Sequence, residues 1–158
     1  MNDRFQVRDR GDEYYMKLAL MEAEKSLPDD VPVGAVVVKE GKVIGRGHNQ
    51  RERRQDPTLH AEIVALRQAA KKLGSWYLTE CLLYVTLEPC PMCAGALIQA
   101  RIKGVIFGAL DSKGGALGSV VNLNQEGLFN HRFECRGGVE SEACAKLLRE
   151  FFLMRRGG

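Results

Sequence analysis

Apolar and polar positions follow one another along this chain in blocks whose period shifts between helical and extended. Tyr15, Leu18, Ala19 and Ala23 share one face at i, i+3, i+4, i+8 spacing, which predicts an amphipathic helix over roughly residues 12–26, closed near Pro28. Residues 33–39 and 42–49 are β-branched runs flanking Glu40-Gly41, the pattern of an antiparallel hairpin that turns at the glycine. A charged loop follows. Ile63, Leu66, Ala70 and Leu73 then mark a second helix that stops at Gly74. Residues 82–87 are almost uninterruptedly apolar, as expected of a strand covered on both faces.

Ala94, Leu97 and Ile98 predict a third helix, residues 105–109 a strand and residues 133–136 a weaker strand. Cys144, Leu147, Leu148, Phe151 and Phe152 form the apolar stripe of a final helix. Strands alternating with helices imply an α/β fold whose sheet has parallel members and helices on both faces. Neither a repeat nor a linker interrupts the pattern. The 158 residues are therefore expected to form one domain, with 1–11 as a polar lead-in.

Composition narrows the setting without naming a function. A net charge of +3 is compatible with phosphate contacts but well short of a basic-tail protein. The first ten residues hold no apolar signal segment and the longest apolar runs are strand-sized, so the expected location is the cytoplasm, with no membrane span. Five cysteines without regular spacing suit a reducing compartment, where two of them could serve a metal. Cys81, Cys135 and Cys144 are then expected as small buried hydrophobes. Gly114, Gly115 and Gly118 make residues 111–119 a flexible loop after a strand, where substrate-binding elements and ordinary turns both occur.

Two short motifs carry the chemistry: His60-Ala61-Glu62 at the start of the second helix, and Pro89-Cys90-Pro91-Met92-Cys93 at the start of the third. Residues i and i+3 of a helix share a face, so Cys90 and Cys93 can reach one ion, and Pro91 suits a first turn, where its missing N–H costs nothing. The positive end of the helix favours the metal-binding thiolates. Positions i and i+2 diverge within a regular helix, so His60 must sit at the helix entrance if it is to join them while Glu62 lies alongside. Three protein ligands leave the fourth tetrahedral position of a zinc ion open to water, and Glu62 is placed to move protons there. A lone PCxxC serves a structural zinc knuckle or buried packing equally well. The two motifs together point to catalytic zinc, one per subunit.

HxE followed by PCxxC is the signature of zinc-dependent nucleobase deaminases. Residues 86–95, 56–62, 105–111 and 129–131 extend the match, and the chain resembles the bacterial tRNA adenosine deaminases of the cytidine/deoxycytidylate deaminase superfamily from about Tyr14 to Arg156. The resemblance implies a cytidine-deaminase-like three-layer sandwich with a five-stranded mixed sheet. It also implies a homodimer that converts the wobble adenosine of a tRNA anticodon stem-loop to inosine, with no cofactor besides zinc. By position, Asn49 resembles the residue that hydrogen-bonds the flipped base and Val33 a part of the pocket wall; the backbone N–H of Ala61 is a donor that can stabilise charge on the reacting oxygen. Asp111, Lys113, Asn130, His131, Phe152 and Arg156 resemble positions that hold the surrounding RNA. In that context Arg51, Arg53, Arg54, Arg155 and Arg156 become candidate phosphate contacts.

Two alternatives remain open on the sequence. The zinc chemistry is shared by deaminases of free bases or nucleosides such as guanine or cytosine. A non-catalytic zinc module that binds RNA would also use the three ligands, but it would leave Glu62 with nothing to do.

Overall fold

The first amphipathic stretch forms α1 (Gly11–Glu24) in the computed structural model, which describes the backbone of residues 11–157 and the side chains of 11–155. Asp12 and Glu13 in its first turn complement the helix dipole, and Tyr15, Met16, Ala19 and Ala23 are buried. The hairpin follows as β1 (Gly34–Lys39) and β2 (Lys42–His48). Glu40 and Gly41 both have positive φ, 50° and 77°, as a two-residue turn that matches strand twist requires.

Within the charged stretch read as a loop lies a one-turn helix, α2 (Arg51–Arg54). Its second and third N–H groups, on Glu52 and Arg53, donate to the buried carboxylate of Asp30 at 2.6 and 3.1 Å. The cap comes from about twenty residues upstream, so the local pattern holds no trace of it. The second predicted helix is α3 (Ala61–Leu73), stopped by Gly74 at φ 66°. Then come β3 (Cys81–Leu87), α4 (Pro91–Gln99), β4 (Gly104–Ala109), β5 (Glu134–Arg136) and α5 (Ser141–Gly157).

The five strands form one mixed sheet in the order β2-β1-β3-β4-β5. β1 is antiparallel to both β2 and β3, whereas β3, β4 and β5 run parallel. The pleat sends alternate residues to opposite layers. Ala35, Val37, Leu83, Val85, Val105 and Phe107 pack under α3 and α4, while Val36, Val38, Tyr84 and Ile106 pack against α1 and α5. This is the three-layer α/β arrangement with helices on both faces. Two expectations are corrected at its margins. Cys81 and Cys144 are buried, but Cys135 sits on the exposed edge strand β5, and Phe152 on the last helix is 47% exposed.

β2 carries unusually small residues where α3 crosses it. A methyl group on Gly45 or Gly47 would run into the backbone carbonyls of Ala65 or Ala61, respectively, so the glycines let helix and strand approach backbone to backbone. Ala61, Ala65 and Ala69, one turn apart on α3 and fully buried, present the matching small face. That contact sets the height of the α3 N-terminus above the sheet. Gly47→Ala is expected to cost about 1–3 kcal/mol by overpacking. Thermal unfolding should then fall by about 2–4 °C per kcal/mol; an unchanged Tm would show that α3 does not depend on this contact.

Candidate active site

The register of the sheet gathers the two motifs at one end. Gly34 at the start of β1 pairs with His48 at the end of β2, and Leu87 at the end of β3 pairs with Ala109 at the end of β4. Val33, Asn49, Cys90 and Asp111, each just beyond those termini, therefore converge above the same edge. This is the carboxyl end of the parallel strands, where α/β sheets commonly bind ligands.

His60 is the N-cap residue of α3 and Cys90 that of α4, both with extended backbone (φ −77°, ψ 158° and φ −76°, ψ 174°), and Pro91 opens α4. Neither cap uses its side chain to satisfy its own helix, so both side chains are free to turn outward. The His60 Nδ1 lies 3.5 Å from Cys90 Sγ and 3.6 Å from Cys93 Sγ. Tetrahedral zinc with ordinary Zn–N and Zn–S bonds needs an N···S edge of about 3.6 Å. Among the described residues this is the one cluster of three such donors within reach of a single ion. The donor set suits zinc or another thiophilic metal, and with three ligands it leaves a coordination position facing the cavity.

Charge is already arranged for a cation. The Cys90 thiol is held down at about 4, first because Cys93 donates its S–H to it and then because His60 lies beside it. The same sulfur raises the pKa of Cys93, since removing a second proton would set two thiolates side by side. His60 is raised chiefly by its contact with Cys90. The trio thus shares protons that a metal would displace.

Glu62, in the first turn of α3, is 4% exposed. Burial lifts its carboxyl to about 7, partly offset by its own backbone N–H and by His60. A carboxyl in that range can take up and return protons at neutral pH. It lines, with Val31, Val33, Asn49, His60 and Ala61, a cavity of about 160 Å³ that also reaches Leu87, Glu88, Cys90, Arg51 and Asp111. Apolar walls with a few converging polar groups suit a planar heterocycle. Asn49 is buried and fixed: its Nδ2 donates to the Val31 carbonyl at 3.1 Å and its Oδ1 accepts the Arg51 N–H at 3.1 Å. One N–H and one lone pair of the amide remain for a ligand.

The residues read from the sequence thus separate. Val33, Asn49, Ala61 and Asp111 join His60, Glu62 and Cys90 around the cavity, but Lys113, Asn130, His131 and Phe152 do not line it. Lys113 and Asn130 are exposed, and Asn130 accepts a hydrogen bond from Arg101 at 3.0 Å. His131 Nε2 is held by the Ile102 carbonyl at 2.8 Å, and the side chain of Arg156 lies outside the described residues. Three of the candidate phosphate contacts are engaged within the protein: Arg53 donates to the carbonyls of Lys25, Ser26 and Leu27, Arg54 to the Gln50 side-chain oxygen, and Arg155 to the carbonyls of Pro28 and Asp29. Arg51 stays at the cavity rim.

Of the lining residues, Glu88 escaped the sequence reading altogether, and Arg51 stood there only as one of five arginines marked as candidate phosphate contacts, with nothing local to set it apart. Glu88, 2% exposed, could have been noticed as a carboxylate between an apolar strand and Pro89-Cys90, a position where burial demands partners. It accepts the N–H groups of Asp111, Leu117 and Ser119, each at 3.0 Å, and the Ser119 hydroxyl. Burial alone would raise its pKa; these bonds outweigh burial and keep it below the usual range.

Known proteins agree with this picture. The model of the MafB19-like deaminase family matches residues 10–156. The tRNA-specific adenosine deaminase of Bacillus subtilis is 50% identical over 142 residues, 89% of this chain and 88% of that protein. The solved structure of a tRNA:A34 deaminase, from work on A-to-I editing at the wobble position of transfer RNA, superposes with a TM-score of 0.82 at 42% identity, covering 85% of this chain and 99% of its own. A guanine deaminase from Bacillus subtilis superposes with a TM-score of 0.60, also at 42% identity, over 63% of this chain and 65% of that one. With a family model spanning nearly its whole length and a half-identical relative matched almost end to end, the chain belongs to the deaminase family of the tRNA-specific adenosine deaminases.

Proposed function

We propose that this protein is a zinc-dependent hydrolase that deaminates adenosine to inosine at the wobble position of a tRNA anticodon, within a single deaminase domain and in the cytoplasm. The observation that carries the chemistry is the placement of Glu62, buried and near neutral pKa, beside the donor triangle of His60, Cys90 and Cys93. Zinc held by those three side chains supplies the Lewis acidity that makes water nucleophilic at neutral pH.

The chain's own groups divide the remaining work. The base enters the cavity edge-first, with Val33 against its face and the spare polar positions of the Asn49 amide on its edge. Glu62 takes one proton from the attacking water and passes it to the ring nitrogen beside the amine-bearing carbon. As the C–N bond breaks, Glu62 conveys the second proton to the departing amine, so that water and adenosine yield inosine and ammonia. The Ala61 N–H, in the first turn of α3 with no acceptor inside the helix, is the donor suited to the oxygen on which charge develops. For the base to reach the donor triangle and Glu62 the nucleotide must be unstacked, which is cheaper in a single-stranded loop than in a duplex. Arg51 at its rim is placed for the adjoining phosphate, with Asp111, Lys113, Asn130, His131, Phe152 and Arg156 as candidate contacts to flanking nucleotides.

A homodimer is part of this reading. Leu110, Val120 and Val121, 71%, 55% and 46% exposed, flank residues 111–119 in the chain and leave apolar side chains for a partner subunit to cover. Sedimentation velocity at micromolar concentration should find a dimer, and a monomer would remove this element of the proposal.

Glu62→Gln is expected to keep one zinc per chain by elemental analysis while slowing inosine formation by roughly 10²–10⁴-fold, whereas Cys90→Ser should lose the metal. Retained activity in Glu62→Gln would take the carboxylate out of the mechanism. The guanine deaminase neighbour favours a second reading, a free-base deaminase, since the cavity itself selects only for a heterocycle. Ammonia release from an anticodon stem-loop and from free adenosine, guanine and cytosine separates the two. The stem-loop alone should react; turnover of guanine alone would establish the second reading.

A further inference from the structure

The geometry points to Glu88 as a positioning residue for substrate binding: its carboxylate ties the loop of residues 111–119 to the metal-binding turn and so fixes the Asp111 wall of the cavity. This rests on the reading of the cavity as the base site. Glu88 stands two residues before Cys90, and its side-chain hydrogen bonds go to residues 111–119 rather than to the donor triangle or Glu62.

Both carboxylate oxygens are engaged. Oε1 accepts the Asp111 N–H at 3.0 Å and the Ser119 hydroxyl; Oε2 accepts the N–H groups of Leu117 and Ser119, both at 3.0 Å. Three backbone donors from the two ends of one loop thus converge on a single buried side chain. Gly115 completes the arrangement, because a methyl group there would occupy the position of the carboxylate itself. A second tether runs from the Ala116 N–H to the Pro89 carbonyl at 2.8 Å, next to Cys90 in the chain. The loop is therefore folded around the residue that precedes the metal-binding turn. Asp111, whose own carboxylate is turned back onto the N–H groups of Lys113 and Gly114 at 3.1 Å, is held rigid at the cavity edge.

Four accepted hydrogen bonds explain why a carboxylate rather than an amide stands here. A carboxylate is acceptor-only on both oxygens, whereas glutamine must offer an NH₂ on one side. On the Oε2 side that NH₂ would face two N–H donors. On the Oε1 side it can donate to the Ser119 hydroxyl and face only the Asp111 N–H. Glu88→Gln therefore releases Asp111 selectively while leaving Leu117 and Ser119 held.

The test uses the full-length zinc-loaded protein. In Glu88→Gln, NMR amide exchange should speed up at Asp111 and stay slow at Leu117 and Ser119. KM for the anticodon stem-loop should rise about tenfold, the scale of one lost buried hydrogen bond, with kcat lowered less than threefold. A residue that merely kept the fold together would reduce the active fraction and apparent kcat while leaving KM in place. Unchanged exchange at Asp111, or an unchanged KM, overturns the proposal. If Glu88→Gln does not fold, Ser119→Ala loosens the same oxygen and should raise KM about two- to threefold; no rise overturns it equally. If the wild type deaminates only free guanine, the tRNA reading fails by that result, and KM for guanine becomes the readout for Glu88.

Discussion

Two helix N-termini meet above one end of the sheet, and the chemistry depends on that meeting. α3 brings His60 and Glu62, and α4 brings Cys90 and Cys93, each from a cap or first turn where side chains point past the helix end. α3 could not bring His60 and Glu62 together from its interior, because i and i+2 positions diverge there. The approach is set from below. Gly45 and Gly47 let the alanine face of α3 rest on the β2 backbone, and the parallel pairing of β3 with β4 carries the α4 turn to the same edge. A few tenths of an ångström in either contact would be felt in the His60–Cys90 separation of 3.5 Å.

The site also separates two buried carboxylates by environment rather than by type. Glu62 has few partners beyond its own backbone N–H and neighbouring Cys93, so burial dominates and lifts it to about 7. Glu88, also buried, is saturated with donors that hold its carboxyl below the usual range. The first group is thereby suited to exchanging protons and the second to holding backbone. Environment pushing like groups apart is how one fold accommodates both roles in a small space.

Arginine placement shows the same economy. A mildly basic chain invites the view that its arginines face nucleic acid, but Arg53 and Arg155 are spent on the carbonyls that end α1 and begin the following turn. Those bonds, with Asp30 capping α2 and Ser26 donating to the Asn49 carbonyl at 2.9 Å, brace the segment that carries Asn49. Arg51 alone among these faces the cavity.

Much of this was legible along the chain, because periodicity and motif spacing are local properties. The stripe of Ile63, Leu66 and Leu73 fell within α3, Gly74 stopped it as its left-handed φ requires, and the HxE and PCxxC spacings already implied that the two helix starts share one site. The short helix α2 was invisible because its cap is Asp30, and Phe152 kept the spacing of a buried stripe though it stands 47% exposed, with its ring against Phe151. Asn130 and His131 could be singled out only by resemblance, and their partners, Arg101 and the Ile102 carbonyl, lie almost thirty residues away. By itself the sequence determined which elements form and which donor types they carry, since both follow from neighbours within a turn or a strand. The tertiary structure alone decided the strand order, the hydrogen-bond donors that set Glu88 apart from Glu62, and which arginine is left for a ligand, because each depends on contacts between segments far apart in the chain.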